Sequence, residues 1–461
     1  MLNNIKSNFI LKIVFRFLKQ RRKLPILKYN KNLKNKLNIQ LKDYQDYLTL
    51  KAFNEKVQTN IENTIENTDT EKLIIVGKHL DPVIDDEGLK NLSKMEFTKL
   101  KELNLSYNNI FNLEPLLNMN FEKLEILILS NLSEFTFKEY RRFIKRKKPR
   151  KLADFSTLKK IKFPNLKVLN LSGNKGIDIT LYENINFNEL KELYLSGIGI
   201  YNIEFLSNFK FSRLEKFDSS CNIIENINGL ENMDLANLKC LYLNNNYISD
   251  FKVLEKINFE NLLDLNLSHN GLLDIAFLDN CQFKRLEQLY LNNCRIKDIT
   301  IFEKLKFDNL KDLDLKFNEI QDINILEKVK FEKLEKLFLG GNRISNIEVL
   351  EKVKFDILKE LDLNNNLISD ITVLGKTKFD KLGLLNLSYN KIIDISVLEN
   401  LELENLECLD LNHNKIEDIK ILKNLKLKKL KHLNISSNKY DKKKNKKLIS
   451  KLKSKFTSFI D

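Results

Sequence analysis

The sequence predicts an α/β solenoid: a curved array with short parallel β-strands on its concave face and 3₁₀ or short α-helical return segments on its convex face. Three observations predict it. One pattern, L-x-x-L-x-L-x-x-N-x-I-x-D-I, returns every 24 residues from Leu166 to Asn438 without a slip, and a fixed period of this length belongs to stacked units that each lean on their neighbours. Inside a unit the apolar spacing changes from steps of two to steps of three, a strand followed by a tight return. The composition, 43% hydrophobic and 31% charged, is that of a folded chain, and no run of about 18 apolar residues offers a transmembrane helix.

The unit that begins at Leu334 shows how each element arises. Leu334, Leu337 and Leu339 fit a short strand, with Leu337 and Leu339 pointing inward by period-two alternation. Ile344, Ile347, Leu350 and Val353 step by three, which suits a 3₁₀-like return. Asparagine holds the ninth position in unit after unit, from Asn174 to Asn438, and Cys294 replaces it once. Its amide can satisfy turn backbone groups that would otherwise be orphaned inside the coil. Four residues on, Asp250, Asp274, Asp298, Asp322, Asp370, Asp394 and Asp418 stand where an oxygen can cap the next turn, a structural use of these acids. Phe259, Phe307, Phe331, Phe355 and Phe379 recur at the end of their units and read as a core spine. One unit orders too much backbone for the apolar surface it buries, so stability must come from stacking.

These residues match the leucine-rich-repeat signature. The consensus, with its short return and I-x-D-I ending, resembles the internalin and phosphatase-regulator group of that family over about 100–438. The resemblance implies a non-catalytic scaffold that binds a protein partner on its concave face.

The flanks differ from the array. Residues 1–50 form a basic N-terminal segment, 51–71 a polar linker, 72–99 a cap that starts with the strand-like run at Leu73, and 439–461 a basic tail. Residues 1–42 contain no acid, and Ile5, Phe9, Ile13, Phe17 and Leu18 recur at helical spacing. Lys12 and Arg16 interrupt the apolar stretch, which disfavours a secretory signal, while a mitochondrial presequence stays open. Residues 10–37 resemble the later part of an F-box, an apolar helix followed by a leucine-bearing segment. They lack the leading Leu-Pro pair and have Tyr29, Asn30 and Lys31 where F-boxes carry Cys and Trp. That resemblance implies a Skp-type partner held by residues 1–42 and a ubiquitin-ligase substrate adaptor; the other reading is a helical cap. In the tail, Leu448, Leu452, Phe456 and Phe459 share one helical face, the pattern of a capping helix or of a membrane-surface helix.

From Leu124 to Leu166 the step exceeds the period, which marks an insertion at about 133–161. It carries Arg141, Arg142, Lys145, Arg146, Lys147, Lys148, Arg150 and Lys151. Insertions leave solenoids as outward loops. A solvated loop, a nuclear-import signal and a polyanion-binding arm all fit this composition.

Structure fixes the leucines, so recognition must lie in the letters between them. The position between the second and third leucines reads Asn170, Tyr194, Asp218, Tyr242, Asn266, Tyr290, Asp314, Phe338, Asp362, Asn386, Asp410 and Asn434. Aromatics take alternate units from Tyr194 to Phe338, which suits an extended protein partner; duplication of a double unit would produce the same row. In the C-terminal half Asp312, Asp314, Glu360, Asp362 and Asp410 are opposed only by Lys336 at exposed strand positions, although the net charge is +15. Lysines such as Lys304, Lys306, Lys328 and Lys330 fall on the return segments. This partition argues against nucleic acid in the curve and for a basic or mixed-charge protein surface.

No catalytic, metal or cofactor constellation emerges. The four histidines have no ligand spacing, and phosphate-binding glycine loops and nucleophile elbows are absent. Five cysteines without a C-x-x-C favour a reducing, intracellular compartment, cytoplasmic or nuclear. We expect a monomer, no enzyme, and no membrane partner.

Overall fold

The computed structural model describes residues 70–77, 83–132, 153–178, 187–209, 211–272 and 274–461. The F-box-like segment, most of the linker and the basic residues Arg141 to Lys151 lie outside the described residues. The chain divides into two units, Met1–Asn186 and Phe187–Asp461.

In the first unit β1 (Lys72–Ile74), β2 (Glu102–Asn104), β3 (Ile126–Ile128) and β4 (Val168–Asn170) pair side by side, parallel and in register. The N-terminal cap is itself a strand and a helix: β1 is followed by α1 (Asp86–Leu92), whose N-cap Asp85 accepts the Gly88 N–H. Leu89 and Leu92 of α1 are fully buried, so this element closes the end of the core. Of the segment expected as an insertion, 153–161 forms the return of its own repeat, with Phe155 and Leu158 buried.

In the second unit the strands repeat with the sequence: β5 (Glu192–Tyr194), β6 (Lys216–Asp218), β7 (Cys240–Tyr242), β8 (Asp264–Asn266), β9 (Gln288–Tyr290) and β10 (Asp312–Asp314). They continue as β11 (Lys336–Phe338), β12 (Glu360–Asp362), β13 (Leu384–Asn386), β14 (Cys408–Asp410), β15 (His432–Asn434) and β16 (Ser458–Ile460). All pair in parallel with equivalent residues opposed, as Asp312, Lys336 and Glu360 are. Each strand from β5 to β14 is followed by a short 3₁₀ return such as Glu348–Glu351, and β15 is followed by α2 (Lys446–Lys455).

The local chemistry that closes each coil is the expected one. Asn342 donates from Nδ2 to the carbonyls of Leu339 (2.9 Å) and of Leu315 in the preceding repeat (3.0 Å), while its Oδ1 accepts the Ile320 N–H (3.1 Å). One buried amide therefore satisfies three backbone groups on two repeats. Asp322 accepts the Asn324 N–H at 2.8 Å at the start of the return, and Asp250, Asp274, Asp298, Asp370, Asp394 and Asp418 do the same in theirs. The phenylalanine spine is buried, with ring centroids 5.6 Å apart at Phe259 and Phe283 and 6.1 Å apart at Phe307 and Phe331.

The tail departs from the expected single helix. α2 ends at Lys455, and Phe459 lies in β16 opposite Leu433 of β15. The open edge of β15 presents backbone groups that a strand can satisfy and a helix cannot: Ser458 donates to the Lys431 carbonyl at 3.0 Å and Ile435 to that of Ile460 at 2.8 Å. Ile449, Leu452 and Phe456 are buried while Leu448 is half-buried, so the apolar side of α2 is occupied by the protein itself.

Candidate partner-binding face

Three-residue strands leave two outward side chains each, the first and the third, because the middle residue, a leucine in most strands and Phe217 in β6, points into the core. In the second unit these outward pairs line up across strands, so one face is read by two columns. The third-position column brings Tyr194, Tyr242, Tyr290 and Phe338 onto one face, each half-buried, with Asp218, Asn266 and Asp314 between them.

The first-position column supplies their partners, and sequence reasoning missed most of it. Lys216 stands between two rings, its ammonium 5.2 Å from the Tyr194 centroid and 5.0 Å from that of Tyr242. Such a cation is held by the negative faces of both rings. Tyr194 donates to Glu192 at 2.6 Å, and Tyr242 donates to Asp264 Oδ2 at 2.5 Å. Tyr290 donates to Gln288 at 3.4 Å. Lys316 reaches over the Phe338 ring at 4.5 Å and lies 3.7 Å from Asp314, while Lys336 is 3.9 Å from both Asp312 and Glu360. Two lysines, Lys316 and Lys336, thus temper the acidic half where the sequence suggested one.

Burial governs the titration of this face. It pushes the Tyr194 and Tyr242 hydroxyls above their usual range, helped by the carboxylates that accept from them. Burial, then the charges of Asp264, Asp312 and Asp314, carries Tyr290 up to about 12. Burial also raises the carboxyls of Asp264, Asp312, Asp314 and Asp362. In Asp264 the Tyr242 hydrogen bond and the charge of Lys216 oppose that rise.

Asp314 and Asp362 are not exposed as the sequence suggested, with 7% and 9% of their surface accessible. Their side chains fold back to accept the N–H two residues on, from Lys316 at 2.9 Å and Asn364 at 3.1 Å. Asp218 and Asp410, half-buried, do likewise for Ser220 and Asn412, and Asn266 and Asn386 perform the same task. The acids at this position serve the turn as much as the surface. Asp312 and Glu360, in the first column, keep carboxylates that bind no backbone N–H among the described residues.

A further row lies at the rim, where the residue before each buried asparagine has positive φ. Phe317 and Tyr389 take φ of 56° and 54° and remain 55% and 51% exposed. Tyr389 stacks on His413 with centroids 4.1 Å apart. A bulky residue in this left-handed conformation is uncommon, and an aromatic at that position is the signal that would have found the row. No three of the described His, Cys, Asp and Glu residues are grouped to hold a metal ion, and no described helix is long and apolar enough to cross a membrane.

Residues 284–328 and 332–376 match a family described as leucine-rich repeats in two copies, and 98–111 and 402–419 match a second leucine-rich-repeat family. No curated protein matches the chain. Among solved structures, an internalin of Listeria monocytogenes is similar with a TM-score of 0.56 and 23% identity, covering 85% of this chain and 95% of the other. A leucine-rich-repeat protein of Leptospira interrogans has a TM-score of 0.57 and 21% identity, covering 88% and 97%. The parallel strands, the asparagine at each turn and these matches agree: the chain is built of leucine-rich repeats.

Proposed function

We propose that the protein is a non-catalytic scaffold that binds an extended segment of a protein partner along the strand face of the unit Phe187–Asp461. The observation that carries this reading is the row of half-buried aromatic rings at Tyr194, Tyr242, Tyr290 and Phe338, spaced two strands apart and set among Lys216, Asp264, Asp312 and Lys316. Tyrosine in a polar surround supplies apolar area at low entropic cost and is enriched where binding energy concentrates. Charges of both signs on the same face give orientation and selectivity. An intracellular residence fits five unpaired cysteines, of which Cys221 is exposed.

Affinity capture followed by mass spectrometry tests the reading. Full-length protein should retain partners that are lost when Tyr194, Tyr242, Tyr290 and Phe338 are all replaced by Ala, with far-ultraviolet circular dichroism unchanged. Equal capture by both proteins removes the face from the account.

A further inference from the structure

The rings of the strand face define successive intervals, each two strands wide and floored by the first-position residue of the strand between. The interval from Tyr194 to Tyr242 is floored by Lys216, whose ammonium lies 5.2 and 5.0 Å from the two rings. The interval from Tyr242 to Tyr290 is floored by Asp264, which occupies the same place in the repeat as Lys216. The charge at the floor is therefore reversed between two intervals of equivalent strand register, which hold Asp218 and Asn266 respectively at the third position.

Asp264 has one oxygen engaged by the Tyr242 hydroxyl at 2.5 Å, while Oδ1 is buried with no hydrogen-bond partner. It makes no ion pair among the described residues, although Lys216 is near enough to favour its charge. Its strand neighbours on either side, Cys240 and Gln288, are uncharged. The next interval, from Tyr290 to Phe338, differs: its acids Asp312 and Asp314 already face Lys336 at 3.9 Å and Lys316 at 3.7 Å. Of these three intervals, the one between Tyr242 and Tyr290 has two aromatic walls and a carboxylate but no ammonium of the protein's own.

We propose that this interval takes a basic side chain, the guanidinium or ammonium of an arginine or lysine, presented by the protein partner. The inserted cation would lie between the Tyr242 and Tyr290 rings as Lys216 lies between Tyr194 and Tyr242, and would pair with Asp264. Two ring faces and one carboxylate attract the same charge, and strands about 4.8 Å apart set the rings at the separation that Lys216 already fills. The inference rests on the strand face being the binding surface and names what the partner brings to it.

The test uses the full chain labelled with fluorotyrosine and N-acetylarginine amide as the probe. The fluorine resonances of Tyr242 and Tyr290, assigned from single Tyr→Phe variants, should shift with a saturable, millimolar dependence on the probe, while those of the exposed Tyr201 and Tyr247 stay still. Asp264→Asn, of the same shape without the charge, should weaken the response at least tenfold. Asp264→Lys, which copies the Lys216 arrangement, should abolish it. Equal shifts in all tyrosines, or a response that Asp264→Asn leaves unchanged, overturn the proposal. If the probe fails here while the four-ring variant still loses its captured partners, the cation site falls and the binding face stands. If the probe binds but capture ignores the rings, the face falls instead.

Discussion

Lys216 and Asp264 stand at the same position of the repeat, two units apart, and both meet Tyr242: the lysine lies over its ring at 5.0 Å and the aspartate takes its hydroxyl at 2.5 Å. One ring thus separates a site with its own cation from a site with an unmatched carboxylate. The repeat keeps the strand register equivalent, so the difference between the two sites resides in their side chains.

That carboxylate acts against folding near neutral pH. Burial raises the folded-state pKa of Asp264 above the ordinary 3.8. The stability linked to its protonation is fully present below the unfolded value and is lost as pH rises through the folded one. Asp264→Asn, which removes the buried charge and keeps the shape, should therefore stabilise the chain at pH 7. The gain should shrink toward zero as pH falls below 4. Thermal melts of both proteins across this range check the sign; a gain that grows on acidification contradicts it.

The buried asparagines should be costly to remove. Asn342→Ala leaves the Ile320 N–H without its acceptor and takes one of two amide donors from each of the Leu315 and Leu339 carbonyls, which Asn318 and Asn366 still hold, a loss of about 1–3 kcal/mol. The converse change should help. Cys294 contacts the Leu267 carbonyl through sulfur at 3.5 Å and has no oxygen to accept the Leu272 N–H, as Asn270 Oδ1 accepts the Ile248 N–H. Cys294→Asn should raise stability by about 1 kcal/mol, read from denaturant midpoints.

The C-terminal closure is a strand and a helix acting together. Removing 458–461 uncovers the edge of β15, and an unprotected parallel edge invites pairing between chains. Size-exclusion chromatography should show concentration-dependent association of the truncated protein and none of the intact one. Leu452→Ala should cost about 2–4 kcal/mol, as for other fully buried leucines.

Strands, returns, asparagine turns and the phenylalanine spine were legible because each obeys a period that burial enforces. The aromatic row was legible too, since a strict two-residue alternation tells which letters face outward. Lys216 and Asp264 escaped notice because their importance depends on neighbouring repeats, and only the register reveals which ring each one touches. The exposure of Asp314 and Asp362 was misjudged because an outward strand position does not stop a short side chain from turning back to a backbone N–H. The end of α2 was misplaced because the apolar pattern there serves a helix up to Phe456 and a strand beyond it, a switch that only the unpaired edge of β15 dictates.

The central claim, that the strand face of the second unit holds the partner, is tested most directly by hydroxyl-radical footprinting of the chain alone and in complex with a captured partner. Protection should fall on Tyr194, Tyr242, Tyr290 and Phe338, while Tyr201 and Tyr247, 70% and 66% exposed away from the ring column, keep their reactivity. Protection confined to Tyr201, Tyr247 or the return segments, with the four rings as reactive as before, would contradict the account.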